Sequence, residues 1–184
     1  MVRWLIDTNV LLAASAWHDP GSEAERAMPH DPRLRERIGQ WLTTFSLGPD
    51  RLVLDEAGLI LAEYRRNLPF DRRLHHAEFG MDVLETKIER GLVDFVSIPV
   101  LDANGERIAV LPEALETIVT DREDRKWVAA ALAAQAAFAG PCPIVYAADS
   151  DWRLEEALLA RYGLRFLRLL PDRWYQHPSD FAHD

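Results

Sequence analysis

The sequence predicts an α/β fold, a three-layer α/β/α sandwich built on a mainly parallel sheet. Short runs of valine, isoleucine and leucine alternate with segments that carry apolar residues at helical spacing. Strands of that composition suit a parallel sheet that helices cover on both faces. With 184 residues and 48% apolar composition, the chain can bury one sizeable core, so we expect one domain over residues 1–184.

The first strand is predicted at residues 2–6, an apolar run that Asp7, Thr8 and Asn9 interrupt. Thr8 or Asn9 can cap a helix that follows directly. Further apolar runs predict the other strands, at residues 52–54, 93–99, 143–147 and 164–169. The strands are therefore spread along most of the chain, as a parallel sheet requires.

Helical spacing of apolar residues predicts the helices after the first, over about residues 32–45, 56–67, 74–90, 123–138 and 152–162. The polar segment at 18–31 predicts an exposed loop, and together with the next helix it gives a helical insertion at about 18–48. Asn104-Gly105 suits a two-residue turn and predicts a β-hairpin over about 95–110, decorating the edge of the sheet.

Acidic residues occur in four short segments that this fold would bring together: Asp7, Glu63, Asp121 with Asp124, and Asp149 with Asp151. Asp7 ends the first strand and Asp149 the fourth, and the carboxyl ends of parallel strands flank the crevice of such a sheet. Carboxylates that converge without basic partners repel one another and need a cation, usually Mg²⁺ or Mn²⁺. The sequence therefore predicts a cation site.

A metal-dependent hydrolase is the chemistry that such a site favours. Two or three carboxylates can hold one hard cation and leave positions for a phosphate oxygen and a water, whose pKa the cation lowers. Thr8, Asn9 and Ser150 could orient water or phosphate. The sequence shows no Ser-His-Asp spacing, Cys-His pair, glycine-rich phosphate loop or zinc-ligand spacing that would compete.

Structural roles are the alternative for most of these acids. Helix capping or the helix dipole could explain several of them, namely Asp121, Asp124, Asp149 and Asp151. Glu63 could be solvated and pair with Arg66 or Asn67. Asp7 fits a structural role least well, because an acid at the end of a buried strand is costly unless something charged meets it.

The net charge of −9 argues against a nucleic-acid partner, because contacts with phosphates need surplus Lys and Arg. Without Asp7, Glu63, Asp124, Asp149 and Asp151, 25 acidic residues still face 21 basic ones, a charge of −4. A polyanion would need local attraction from the cation and from basic clusters, at Arg65-Arg66, Arg72-Arg73 and Arg122/Arg125/Lys126.

Cysteine content and hydropathy indicate the cellular compartment in which the protein is expected. Cys142 is the single cysteine, so no intramolecular disulfide can form, and this fits a reducing environment. No stretch approaches the roughly 20 apolar residues of a membrane span. We expect a soluble cytoplasmic protein without a membrane partner.

The four acidic segments resemble, in order, the motifs of the PIN domain family. The matching stretches are Ile6-Asp7-Thr8-Asn9-Val10-Leu11-Leu12, Leu61-Ala62-Glu63-Tyr64, the run from Asp124 to Ala131, and the run from Val145 to Trp152. The resemblance covers about residues 2–169. It implies a three-layer fold, a Mg²⁺ or Mn²⁺ site and endoribonuclease activity on single-stranded RNA, as in VapC-like toxins and RNA-processing relatives.

By position, the resemblance implies Asp7, Glu63, Asp124 and Asp149 as catalytic acids. Asp7, Asp124 and Asp149 would be the principal metal ligands, and Glu63 either a further ligand or a base that orients water. The auxiliary residues would be Asn9, Asp121, Ser150 and Asp151, with Asp121 left open as a competing ligand. The expected partners are RNA, an antitoxin or other protein, and a second copy of the chain. Two other functions stay open: a catalytically weak PIN fold that binds a partner, and a phosphohydrolase, although Asn9 interrupts the Asp-x-Asp pair that the latter needs.

Overall fold

The structure, a computed structural model, describes residues 1–20, 24, 27–68, 78–103 and 105–176. Its helices are α1 (Thr8–His18), α2 (Pro32–Leu47), α3 (Leu59–Asn67), α4 (Phe79–Glu89), α5 (Glu113–Glu116), α6 (Arg125–Phe138), α7 (Ser150–Leu159) and α8 (Asp172–Gln176), with a 3₁₀ turn at Ala160–Tyr162. Its strands are β1 (Arg3–Ile6), β2 (Arg51–Asp55), β3 (Val93–Val96), β4 (Val100–Ala103), β5 (Glu106–Ala109), β6 (Ile144–Tyr146) and β7 (Phe166–Arg168). Arg72-Arg73, Asn104 and the start of the helix predicted at 74–90 lie outside the described residues.

Five parallel strands form the main sheet, in the order β3-β2-β1-β6-β7. The connections from β1 to β2 and β3 run one way across the sheet, and those to β6 and β7 run back. Right-handed crossovers in opposite directions place helices on both faces. Helices α1, α2 and α4 pack together, whereas α6 crosses β1, β2 and β3. The predicted three-layer α/β/α fold is confirmed.

The direction of the chain across the sheet reverses between β1 and β6, which are neighbours. Leu5 is aligned with Ile144, and the backbone N–H of Asp7 donates to the carbonyl of Val145 at 2.9 Å. This contact extends the pairing one residue past β1 and fixes Asp7 at the carboxyl edge. Crevices at such a reversal are where parallel α/β sheets bind ligands.

Helix α3 begins three residues later than the predicted start at residue 56. Strand β2 continues through Asp55, whose buried carboxylate accepts hydrogen bonds from the backbone N–H groups of Leu59 and Ile60, each at 2.8 Å. Gly58, with a φ of 77°, makes the left-handed turn that precedes the helix. Asp55 is therefore a structural acid that anchors α3 to the sheet.

The hairpin spans residues 100–109, fewer than the predicted 95–110. Residues 95 and 96 instead belong to β3, which pairs with β2 in parallel. Strands β4 and β5 form a separate antiparallel sheet, with Val100 aligned with Ala109, and β5 packs against α6. The hairpin thus lies over α6 and does not extend the main sheet. No helix in the described ranges has the length and apolar character that crossing a membrane needs.

Helices α1 and α2 approach each other closely at Gly39. A methyl group at this position would lie 2.0 Å from a ring carbon of Trp17. Only a residue without a side chain therefore fits between the two helices here.

We predict that Gly39→Ala lowers the free energy of unfolding by about 1–3 kcal/mol, because overpacking outweighs the gain in helix propensity. Urea denaturation measures the change. Gly140→Ala is the control, since its added methyl group would come no closer than 3.8 Å to the nearest atom. Equal midpoints for wild type and Gly39→Ala would contradict this packing.

Candidate active site

Asp7 and Asp149 face each other at the β1–β6 edge, and two residues bridge them. Asn9 donates its backbone N–H to Asp7 Oδ1 at 2.8 Å and its side-chain amide to Asp149 Oδ2 at 3.2 Å. Trp152 donates its indole N–H to Asp7 Oδ2 at 3.1 Å and its backbone N–H to Asp149 Oδ1 at 3.2 Å. Every oxygen of the two carboxylates therefore accepts a hydrogen bond, so the pair is held in place from both sides.

Helix starts position both acids. Asp7 is the N-cap residue of α1 and Asp149 is the N-cap residue of α7, where it also accepts the backbone N–H of Asp151 at 2.9 Å. The capping role considered for Asp149 is real, but it uses only Oδ1. Oδ2 faces Asn9, so capping and membership of the acidic site coexist in one residue.

Burial makes the negative charge at Asp7 costly. The residue is 4% exposed, and burial, followed by the charge of Asp149, raises the pKa of Asp7 to about 7. Burial also raises the pKa of Asp149, although backbone N–H groups of Trp152 and Asp151 oppose the shift. The two carboxylates repel each other and favour a shared positive charge.

Asp124 belongs to the same electrostatic group. It lies just before α6, yet within the described structure its side chain makes no capping hydrogen bond. Burial, followed by the charges of Asp7, Asp149 and Asp121, raises the pKa of Asp124 to about 8, with Lys126 opposing. The predicted metal ligands Asp7, Asp124 and Asp149 therefore act on one another through space.

The other auxiliary acids lie at the rim. Asp121 is exposed and accepts the backbone N–H of Glu123 at 2.8 Å, so it forms a turn before α6. Asp151 and Ser150 are exposed in the first turn of α7. The charge of Asp151 still reaches Asp149, whose pKa it raises. These residues are exposed, whereas Asp7 is buried and Asp124 and Asp149 are half-buried.

Glu155 is an acid of this region that the sequence reading missed. It lies one helical turn after Asp151 on α7, and burial, followed by the charges of Asp151, Asp149 and Asp121, raises its pKa to about 7. Its Oε2 is buried and finds no hydrogen-bond partner within the described residues. The four-residue spacing from Asp151 was the available signal.

Glu63 lies beside the acidic pair, but its carboxylate is already engaged. The hydroxyl of Thr8 donates to Oε1, and Lys126 Nζ lies 2.5 Å from Oε2. Lys126 is 6% exposed and also donates to the carbonyl of Glu123. A largely buried ion pair, with side chains 8% and 14% exposed, therefore lies beside the aspartates. Thr8, which donates to Glu63, directly follows Asp7, and Lys126 lies two residues after Asp124.

The expectation that the acids converge without a basic partner is wrong at Glu63. Lys126 was assigned to a surface cluster with Arg122 and Arg125, but it points inward, and Arg125 pairs with Glu116 at 2.9 Å. Only Arg122 of that cluster is exposed. A register signal existed, because Lys126 stands four and eight residues before fully buried alanines of the same helix, Ala130 and Ala134.

Whether a divalent cation fits this site depends on the donor atoms that the side chains offer. In the described part of the chain, no three His, Cys, Asp or Glu side chains are already gathered closely enough to hold a metal ion. The residue types nevertheless suit a divalent cation, because Asp7, Asp124 and Asp149 offer hard oxygen donors whose negative charges repel one another. Glu63 fits less well, since Lys126 already neutralises it.

Comparisons with known proteins add no relative. A scan of protein-family models found no match to this chain, and neither did searches of curated proteins and solved structures.

We predict that Asp124→Asn stabilises the protein by about 1–3 kcal/mol at pH 8 in the presence of a chelator. The pKa of Asp124 is about 8 in the folded chain, against an ordinary value of 3.8 for an aspartate, so the folded chain holds this proton more tightly. Stability then falls as pH rises from about 4 to about 8, and the variant escapes that loss. Urea midpoints across this pH range measure the effect. Glu89→Gln, on the exposed surface of α4, is the control, and a gain independent of pH would contradict the assignment.

We predict that Lys126→Met lowers the free energy of unfolding by about 3–5 kcal/mol, because it leaves the Glu63 carboxylate buried without its partner. The double variant Glu63→Gln/Lys126→Met should lose less than Lys126→Met alone. Chemical denaturation of wild type, Glu63→Gln, Lys126→Met and the double variant gives the coupling energy. Arg66→Ala breaks an exposed ion pair and should change stability little. Strictly additive losses would show that the pair is not coupled.

Proposed function

We propose that the chain is a PIN-like, metal-dependent endoribonuclease that hydrolyses phosphodiester bonds of single-stranded RNA. The observation that supports this most is the Asp7–Asp149 pair, held by N–H donors of Asn9, Asp151 and Trp152 at the edge where ligands bind parallel sheets. Asp124 adds a third acidic charge to the pair. The order of these residues along the chain is that of the resembled family.

Asp7, Asp124 and Asp149 would hold one Mg²⁺ or Mn²⁺ ion. When bound, such an ion activates a water molecule and stabilises the negative charge that develops on the phosphate. Asn9 and Trp152 keep two of the carboxylates from moving apart under their mutual repulsion.

Glu63 has a different role in this proposal, that of orienting water or substrate. Both of its oxygens are engaged, one by Thr8 and one by Lys126, so its position is fixed and its charge is balanced. A carboxylate held in this way can still accept a hydrogen bond from a water molecule. A metal ligand, by contrast, supplies a negative charge that no protein cation balances, and the charge of Glu63 is already balanced by Lys126. The three aspartates remain the ligands.

The biological setting that we propose is cytoplasmic, as a toxin of a toxin–antitoxin pair or as an RNA-processing nuclease. A toxin would have a protein antitoxin as its partner, and either protein could act as a homodimer. The free, buried Cys142 is compatible with a reducing compartment.

We predict that the wild-type protein cleaves a fluorescent single-stranded RNA with Mn²⁺ or Mg²⁺ and that EDTA abolishes the cleavage. Asp7→Asn and Asp149→Asn should each lower the rate by at least about 100-fold, because each removes an anionic donor. Gel analysis of the products measures the rates, circular dichroism checks the folds, and Glu89→Gln is the control. Cleavage that survives both variants, or that ignores EDTA, would contradict the proposal. Absence of cleavage in every protein would favour the partner-binding alternative.

A further inference from the structure

A cleft of about 440 Å³ lies between α3, strand β5 of the hairpin and the start of α6. Clefts of a few hundred Å³ are the size that small ligands and nucleotides occupy. The Glu63–Lys126 ion pair forms part of its wall, and Glu63 accepts a hydrogen bond from Thr8, the residue after Asp7. The cleft therefore adjoins the acidic site.

Positive charge gathers in this cleft although the whole chain is acidic. Four basic residues line it, Arg66, Arg107, Arg122 and Lys126, against three acidic ones, Glu63, Glu106 and Glu123. The difference of four and three is a local surplus of one positive charge in a chain of net charge −9. Because Lys126 and Glu63 neutralise each other, the guanidinium groups supply the cations that face solvent.

Three guanidinium groups of the cleft can bind a ligand, and one of them, that of Arg122, is exposed. Arg107 Nη1 donates to the carbonyl of Ala57 at 2.9 Å, which holds the side chain against the start of α3 and leaves its other N–H groups for a ligand. Arg66 pairs with Glu123 at 2.6 Å, but the two side chains are 62% and 58% exposed. Such surface pairs contribute little, so Arg66 can exchange Glu123 for a phosphate.

The rest of the wall is apolar. Leu59 and Ala62 of α3 lie on one side of the cleft and Ile108 of the hairpin lies on the other. An apolar surface beside guanidinium groups suits a ligand that has a flat ring on one side and phosphates on the other, as a nucleotide has.

We propose that this cleft binds a nucleotide of single-stranded RNA that flanks the cleaved bond, with Arg66, Arg107 and Arg122 contacting its phosphates. The identification of the ligand as RNA rests on the proposed nuclease function. It gives the hairpin a role, since Arg107 and Ile108 come from β5. The cleft also offers local attraction for the phosphates of RNA, which the net charge of −9 on the whole chain would repel.

Binding without cleavage tests the cleft. Fluorescence anisotropy in EDTA measures the affinity of the full chain for a labelled single-stranded RNA at several salt concentrations. Arg107→Gln should raise Kd by about 3- to 10-fold and reduce the salt slope by about 0.7, the value for one lost phosphate contact on a single strand. Arg122→Gln, a second exposed position, should act in the same direction. Arg37→Gln, on the exposed face of α2, removes an equal charge away from the cleft.

Each result decides between outcomes. Unchanged affinity in Arg107→Gln and Arg122→Gln overturns the cleft, and so does an equal loss in Arg37→Gln, which would indicate only general charge attraction. Competition by poly-glutamate that depends on Arg107 as strongly as RNA binding does would assign the cleft to acidic peptides instead. RNA binding that depends on Arg107, in a protein that cleaves no RNA with Mn²⁺, would keep the cleft and reject the nuclease.

Discussion

The burial of a negative charge at Asp7 is the constraint on which the arrangement of this edge depends. A carboxylate at the end of a central strand loses hydration, and the loss must be offset by hydrogen bonds or by a cation. The chain order of the strands places β6 beside β1, so that Asp149 and the α7 residue Trp152 arrive at the same point. Asn9 completes the set from α1. The same donors that reduce the cost of burial also bring a second carboxylate close.

Two kinds of acid stand side by side at this edge, and they differ in how their charge is balanced. Glu63 has an internal cation, because the ammonium group of Lys126 meets it in a buried ion pair. Asp7 and Asp149 have hydrogen-bond donors but no cation, and no basic side chain is paired with Asp124 among the described residues. Burial, followed by the charges of neighbouring aspartates, raises the pKa of both Asp7 and Asp124. This contrast is the physical reason for proposing that the aspartates bind the metal and that Glu63 orients water or substrate.

Sequence periodicity was sufficient for the fold, because each strand and helix is a local pattern with turn residues between. The pairing of Asp7 with Asp149 also followed, since it depends only on strand ends meeting at one edge. The Glu63–Lys126 pair did not follow. The spacing from Ala130 and Ala134 places Lys126 on the inner face of its helix, but it does not identify the carboxylate that Lys126 meets, which lies 63 residues earlier in the chain. The hydrogen bond from the indole N–H of Trp152 to Asp7 could not be predicted either. A tryptophan at the start of a helix predicts burial, but not the acceptor that its N–H group meets.

The location of a bound divalent ion tests the central claim most directly. Crystals of the wild-type protein soaked in Mn²⁺ would show the ion by its anomalous scattering, independently of any activity. The account predicts one strong anomalous peak among the carboxylates of Asp7, Asp124 and Asp149, with the Glu63–Lys126 ion pair intact. A crevice without a peak in these soaked crystals, or a peak at Glu63 with Lys126 displaced, would contradict it.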